Sequence, residues 1–224
     1  MRAPSRTHLL APTVGTGVLM AVYLLARPYG DAGDGAAAAY ASTAWVVAHV
    51  CGTLALASAA RLGLRLSDLS DDVSARLARW SGLLGVVLVL PFYGLETFGL
   101  HAIGERALTD PAMLELTDEI RYHPAAIAGF GIGLLLISVA GVAIGVTATR
   151  SLTMPAWAAW PLAAAIALFP AQYFVPPGGR IAFGVLYAFA AAVFLAGALR
   201  AVSSDGRDSR AAAVSSSTFG AHVR

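Results

Sequence analysis

Apolar residues run in long blocks along this chain, and six of the blocks are long enough to cross a lipid bilayer. A spanning helix needs about 20 mostly apolar residues to cross roughly 30 Å of hydrocarbon. The pattern therefore predicts an all-α, polytopic transmembrane helical bundle over residues 1–200. Its six spanning helices cover residues 9–26, 40–60, 82–103, 125–148, 156–175 and 181–199. A secretory signal is the alternative for the first block, but its apolar core is too long for one.

The arginines predict the orientation, because basic residues in short loops are retained on the cytoplasmic side. An inside N-terminus puts four arginines outside, namely Arg27, Arg106, Arg121 and Arg180. The other eleven then lie inside: Arg2, Arg6, Arg61, Arg65, Arg76, Arg79, Arg150, Arg200, Arg207, Arg210 and Arg224. We therefore expect both termini to be cytoplasmic.

The composition agrees with a membrane location and excludes several function classes. Charged residues make up 12% of the chain, hydrophobic residues 58%, and the mean hydropathy is +0.70. Lysine is absent, so a lysine Schiff base is excluded, and the single Cys51 permits no internal disulfide. A net charge of +2 gives no reason to invoke nucleic acid. The arginine-, alanine- and glycine-rich usage is typical of a GC-rich bacterial genome, which predicts a bacterial plasma membrane as the location.

Two loops and the C-terminal segment show their own patterns. Apolar residues recur at helical spacing within residues 62–80, which predicts a short interfacial helix with Ser70 as its N-cap. Within residues 110–121, Asp110 precedes Pro111, which predicts a second short helix in a loop where acids outnumber arginines. A loop of that sign favours cationic partners. Residues 201–224 are rich in serine, glycine and alanine, which predicts a disordered cytoplasmic tail.

Helix four carries two pairs of glycines at a spacing of four residues, Gly129 with Gly133 and Gly141 with Gly145. Such surfaces let helix backbones approach closely. Packing within the bundle is the favoured interpretation, since a six-helix protein offers many internal neighbours. The alternative is that these surfaces bind another membrane protein, a partner class that the sequence suggests besides the lipid bilayer.

A cluster of polar residues is predicted in the outer half of helices two and three. Glu96 shares one face of helix three with Tyr93, Thr97 and His101, and His49 lies on helix two at a similar estimated depth. His123 enters helix four from the same side. An ionisable group inside a membrane should face the bundle interior rather than lipid, because its exposure to hydrocarbon is costly. We expect Glu96 to meet His49 and hold the two helices in register.

The same residue types can bind a divalent metal or transfer protons, so those interpretations stay open. The candidate ligands would be His49, Glu96, His101 and His123, although their spacing matches no known metal signature. No cofactor is predicted, and bis-histidine haem is disfavoured because His49 and His101 differ in estimated depth by roughly 10 Å. Three functions follow: a non-catalytic membrane component such as a sensor or assembly partner, a membrane enzyme or metal-binding protein with a site at the outer face, and a small proton-coupled carrier.

The predicted topology can be tested with reporter fusions. Eleven inner arginines against four outer ones should place fusions near Asp34, Glu115 and Gly178 outside the cell. Fusions near Asp72, Ser151 and Ser204 should lie in the cytoplasm. Activity of an alkaline phosphatase reporter marks the first set and fluorescence of a cytoplasmic reporter the second, and reversal at any two positions would contradict the six-span topology.

Overall fold

The computed structural model describes residues 6–220, with side chains from Thr7 to Arg200. These residues form helices and no strand. Nine α-helices follow one another: α1 (Leu10–Ala26), α2 (Ala36–Ala41), α3 (Thr43–Ser67), α4 (Val73–Gly94), α5 (Leu100–Ala107), α6 (Glu115–Arg121), α7 (Pro124–Arg150), α8 (Ala156–Ala167) and α9 (Pro177–Gly220). Shorter pieces are 3₁₀ turns at Arg6–Leu9, Gly33–Gly35, Pro111–Leu114 and Phe169–Phe174, and a π turn at Leu95–Gly99 that joins α4 to α5.

The long helices form a closed ring. Helix α1 packs against α3, α3 against α4, α4 against α7, α7 against α8, α8 against α9, and α9 returns to α1. Leucines, valines and phenylalanines such as Val18, Leu135 and Phe189 project outward from the ring. Apolar outer surfaces of this extent suit a lipid environment, because no water has to solvate them. The predicted all-α helical bundle is confirmed.

Five of the six predicted spans are helices long and apolar enough to cross a bilayer within the described part of the chain. The segment predicted over 156–175 differs, because α8 ends at Ala167 after twelve residues. A 3₁₀ turn, Phe169–Phe174, then continues in the same stretch, with Pro170 near its start. Twelve α-helical residues rise about 18 Å and six 3₁₀ residues about 12 Å, so the two pieces together approach the thickness of the hydrocarbon.

The separate helix predicted within residues 62–80 is absent from the structure. Helix α3 continues to Ser67 and α4 already begins at Val73, so only residues 68–72 connect them. The amphipathic spacing belongs to the end of one long helix and the first turns of the next. Extending an existing helix costs less free energy than nucleating a new one, which explains why residues of the predicted loop belong to α3 and α4. Ser70 accepts a hydrogen bond from the Asp72 amide, but the N-cap of α4 is Asp72.

The connection over 110–121 is helical as predicted. The side chain of Asp110 accepts a hydrogen bond from the Ala112 amide at the start of the Pro111–Leu114 turn, and α6 follows directly. Met113, Leu114 and Ile120 of this segment pack against a small apolar cluster centred on Tyr40 and Trp45. The segment from 108 to 123, called the strap below, therefore lies across α2 and α5 at one end of the ring. The arginine distribution predicts this to be the outer end.

At the other terminus, the backbone of α9 continues as helix to Gly220. A run of three alanines at 211–213 favours extension of a helix that is already formed. The sequence pattern had predicted a disordered tail from residue 201. Disorder of residues 201–224 in solution stays a prediction. Residues 221–224 lie outside the described part of the chain.

Three of the five glycines in α7 pack closely against neighbouring helices of the bundle. A Cβ atom on Gly141 would lie 2.5 Å from the Ala167 amide nitrogen, and one on Gly133 would lie 2.8 Å from the Gly85 carbonyl oxygen. Gly145 packs against Trp160 and Ala163 in the same way. Helices α4 and α8 thus occupy these glycine surfaces, as expected for packing within one chain.

Replacing Gly141 with alanine should destabilise the bundle. The new methyl group would meet backbone atoms of α8, which cannot move aside as a flexible side chain would. We expect a loss of about 1–3 kcal/mol, the usual range for overpacking, measured as a lower midpoint of thermal unfolding in detergent. Gly131→Ala is the matched control on the same helix, because nothing lies within 4 Å of its added Cβ. Equal midpoints for the two variants would contradict this packing.

Candidate functional site

The polar site begins at an irregular turn in the third spanning segment. Residues Leu95–Gly99 form a π turn between α4 and α5, and Glu96 lies in it. A π turn closes i→i+5 hydrogen bonds in place of the i→i+4 bonds of an α-helix. The indole Nε1–H of Trp45 donates to the Glu96 carbonyl oxygen at 2.6 Å, which satisfies that group and joins α3 to the turn.

The carboxylate of Glu96 binds Arg121 through both of its oxygens. Arg121 Nε donates to Oε1 at 2.6 Å and Nη2 donates to Oε2 at 3.0 Å. The side chains are 11% and 21% exposed for Glu96 and Arg121, so the pair is mostly removed from water. Paired hydrogen bonds of this kind are among the strongest that charged side chains make. The end of the strap is thereby fixed to the interior of the ring.

A second arginine–carboxylate pair lies beside the first. Arg27 Nη2 donates to Asp31 Oδ2 at 2.6 Å, and the Arg27 guanidinium lies over the Trp45 ring at 5.3 Å. Tyr40 connects the two pairs, since its hydroxyl donates to the Asp31 carbonyl oxygen at 2.8 Å and accepts from Arg121 Nη1 at 2.9 Å. Two of the four predicted outer arginines thus have carboxylate partners.

The charged partners in these two pairs shift the pKa values of Asp31 and Arg121. Burial raises the pKa of Asp31, but the charge and hydrogen bond of Arg27 lower it by more, so that the pKa lies below its usual value. Burial likewise lowers the pKa of Arg121, while its hydrogen bonds and attraction to Glu96 raise it by more. Both shifts favour the ionised forms. Asp31 is therefore ionised and Arg121 protonated over the physiological pH range.

His49 lies where the sequence predicted it, close to Glu96. Its Nε2 atom is 3.9 Å from Glu96 Oε2, which is contact but too long for a direct hydrogen bond. The other ring nitrogen, Nδ1, hydrogen-bonds the Trp45 carbonyl oxygen at 2.8 Å, and the ring packs on the Trp45 indole with centroids 4.0 Å apart. Trp45 and His49 therefore connect α3 to the π turn, and Glu96 takes its main partner from the strap.

Tyr93 and Thr97 lie on the same face as Glu96 but make other contacts. The Tyr93 hydroxyl is 3.1 Å from the Tyr173 hydroxyl, which belongs to the 3₁₀ continuation of α8. Thr97 Oγ1 donates to the Tyr93 carbonyl oxygen within its own helix. The Tyr23 ring lies edge-on to both His49 and Tyr93. Aromatic side chains from four segments thus fill the interior next to the ion pair.

The other two candidate histidines are bound elsewhere. His101 Nδ1 hydrogen-bonds the Tyr40 carbonyl oxygen at 2.8 Å, and its Nε2 lies 3.7 Å from Glu105 Oε1. His123 is exposed at the N-cap of α7. Across residues 6–220, no group of three or more histidine, cysteine, aspartate or glutamate side chains is arranged to hold a metal ion.

Sequence reasoning missed Arg121, Arg27, Asp31, Tyr40 and Trp45 as members of the site. Arg121 lies 25 residues from Glu96 in a loop, so helical periodicity cannot connect them. One signal was present: an arginine outside the membrane runs against the usual bias and calls for a local reason. A carboxylate placed inside the bundle is such a reason.

The chain matches no protein-family model, no curated protein and no solved structure.

Breaking the Glu96–Arg121 pair should cost substantial stability. Removing one partner of a fully buried pair costs about 3–5 kcal/mol, and partial exposure should bring each of Glu96→Ala and Arg121→Ala to about 2–3 kcal/mol. Glu96→Gln should cost less than Glu96→Ala, because the amide oxygen still accepts a hydrogen bond. The measurement is the free energy of unfolding in detergent.

The exposed Arg65–Asp68 pair, with both side chains 35% exposed, provides the control. Arg65→Ala should cost less than about 1 kcal/mol. A double-mutant cycle on Glu96 and Arg121 that shows no coupling would contradict the structural role of the pair.

Proposed function

We propose that this chain is a non-catalytic, multi-pass membrane component, a sensor or assembly partner, with its polar site at the outer face of a bacterial plasma membrane. The observation that carries the proposal is the double engagement of the Glu96 carboxylate by Arg121. With both oxygens held by Arg121, the Glu96 carboxylate positions the strap in the resting chain and is not directed at a reacting group or a metal ion.

The surrounding groups support the same interpretation. His49 is oriented by its contact with the Trp45 carbonyl, and Tyr40 both donates and accepts hydrogen bonds. A general base needs a free lone pair aimed at open space beside a substrate. Here polar groups from α2, α3, α6, the π turn and the loop after α1 are directed at one another, which is typical of an arrangement that fixes loop geometry.

The two alternatives receive less support from these contacts. A metal-dependent enzyme would need His49, Glu96, His101 and His123 to converge, whereas His101 hydrogen-bonds the Tyr40 carbonyl oxygen. A proton-coupled carrier would need Glu96 to take up a proton during transport. Both of its oxygens are already bound by Arg121, which would have to leave before that step.

The proposal is tested by three measurements on one purified preparation. Metal analysis should find less than stoichiometric divalent metal, and vesicles containing the protein should take up protons no faster than empty vesicles. Glu96→Gln should leave both results unchanged. Stoichiometric metal that His49→Ala removes would favour the metal protein, and proton uptake that Glu96→Gln abolishes would favour the carrier.

A further inference from the structure

The groups around the end of Arg121 form a complete recognition site for a guanidinium ion. Glu96 accepts from Nε and Nη2, the Tyr40 hydroxyl accepts from Nη1, and the face of the Tyr40 ring lies 5.3 Å from the guanidinium carbon. A carboxylate that binds in the bidentate mode together with an aromatic face matches a guanidinium better than an ammonium. We call these two residues the guanidinium cage.

Arg121, which occupies the cage, belongs to a surface segment. Arg121 is the last residue of α6, a helix of seven residues, and its side chain keeps 21% of its surface exposed. The strap has separate apolar anchors, Met113, Leu114 and Ile120, so it stays attached when the arginine side chain leaves. A guanidinium group arriving from the predicted outer side can therefore reach Glu96 by the route that Arg121 itself uses.

We propose that the cage is a binding site for guanidinium-bearing ligands and that Arg121 occupies it in the resting chain. The inference rests on the proposed sensor function and names the class of ligand that would be sensed. Five acids in residues 105–119 of the same face attract cations to it. An occupant tethered in this way competes at an effective concentration of about millimolar, so a free ligand competes only at comparable or higher concentration.

Chemical rescue tests the site directly. Arg121→Ala vacates the cage, and about 10 mM ethylguanidinium should then raise the midpoint of thermal unfolding in detergent by about 2–4 °C, as modest ligand binding does in a protein of this size. Ethylammonium at the same concentration and ionic strength should raise it far less. The double variant Glu96→Gln/Arg121→Ala should lose the response, and the wild type should need at least tenfold more ligand.

The controls separate the cage from general salt effects. Arg106→Ala removes an exposed arginine at the same end of the ring and should not create a response. Arg121→Gln, which fills part of the cage, should show a smaller response than Arg121→Ala and serves where the alanine variant is not monodisperse. Equal midpoints in ethylguanidinium and ethylammonium, or a response that survives loss of the Glu96 charge, would overturn the proposal.

A comparison of two guanidinium compounds distinguishes an arginine of a partner protein from a free solute as the natural ligand. N-acetylarginine amide represents an arginine of a partner protein, and ethylguanidinium represents a free solute. A larger midpoint shift with the amino-acid derivative indicates a partner's arginine, and equal shifts indicate a small guanidinium compound. A failed rescue leaves the metal and proton measurements unaffected, so the cage and the non-catalytic function can fail independently.

Discussion

The attraction between Glu96 and Arg121 sets the arrangement of the whole predicted outer end. A carboxylate within a spanning segment is costly unless a counter-charge reaches it. Here the counter-charge comes from a loop, so the loop must fold back over the ring, and the Tyr40 cluster beneath it becomes covered. Tyr40 then couples this pair to Arg27 and Asp31. The ion pair therefore neutralises the carboxylate and fixes the Arg121 end of the strap, while Met113, Leu114 and Ile120 anchor the strap on the apolar cluster.

The irregular π turn contributes to the same arrangement. The Glu96 carbonyl of the Leu95–Gly99 turn accepts a hydrogen bond from the Trp45 indole. Trp45 in turn carries His49 on one face and lies beneath Arg27. The π turn is thus linked to α3 through Trp45, through Trp45 to Arg27 at the end of α1, and through Glu96 to the strap. Such turns recur at functional sites in other helical proteins.

The sequence predicted the fold well because long apolar blocks have few structural solutions in lipid. It also predicted that His49 and Glu96 lie close together, since both positions follow from helical rise and face. Arg121 could not be predicted in this way, because its approach depends on how a loop folds in three dimensions. The boundary near residues 62–80 was misjudged for a related reason: an amphipathic pattern does not show whether a helix is separate or continues its neighbour.

The mixed helix of α8 and Phe169–Phe174 bears on how many times such a chain crosses a membrane. A count based only on uninterrupted helix length finds five crossings, an odd number that would separate the two termini by the bilayer. The packing of the ring favours six crossings instead, because α8 packs between α7 and α9 as the other spanning helices pack between their neighbours. Helix α9 then packs beside α1. With six crossings, the start of α1 and the part of α9 near Arg200 lie on one side of the membrane and next to each other. Halves of a split reporter inserted at these two positions would then meet within a single molecule.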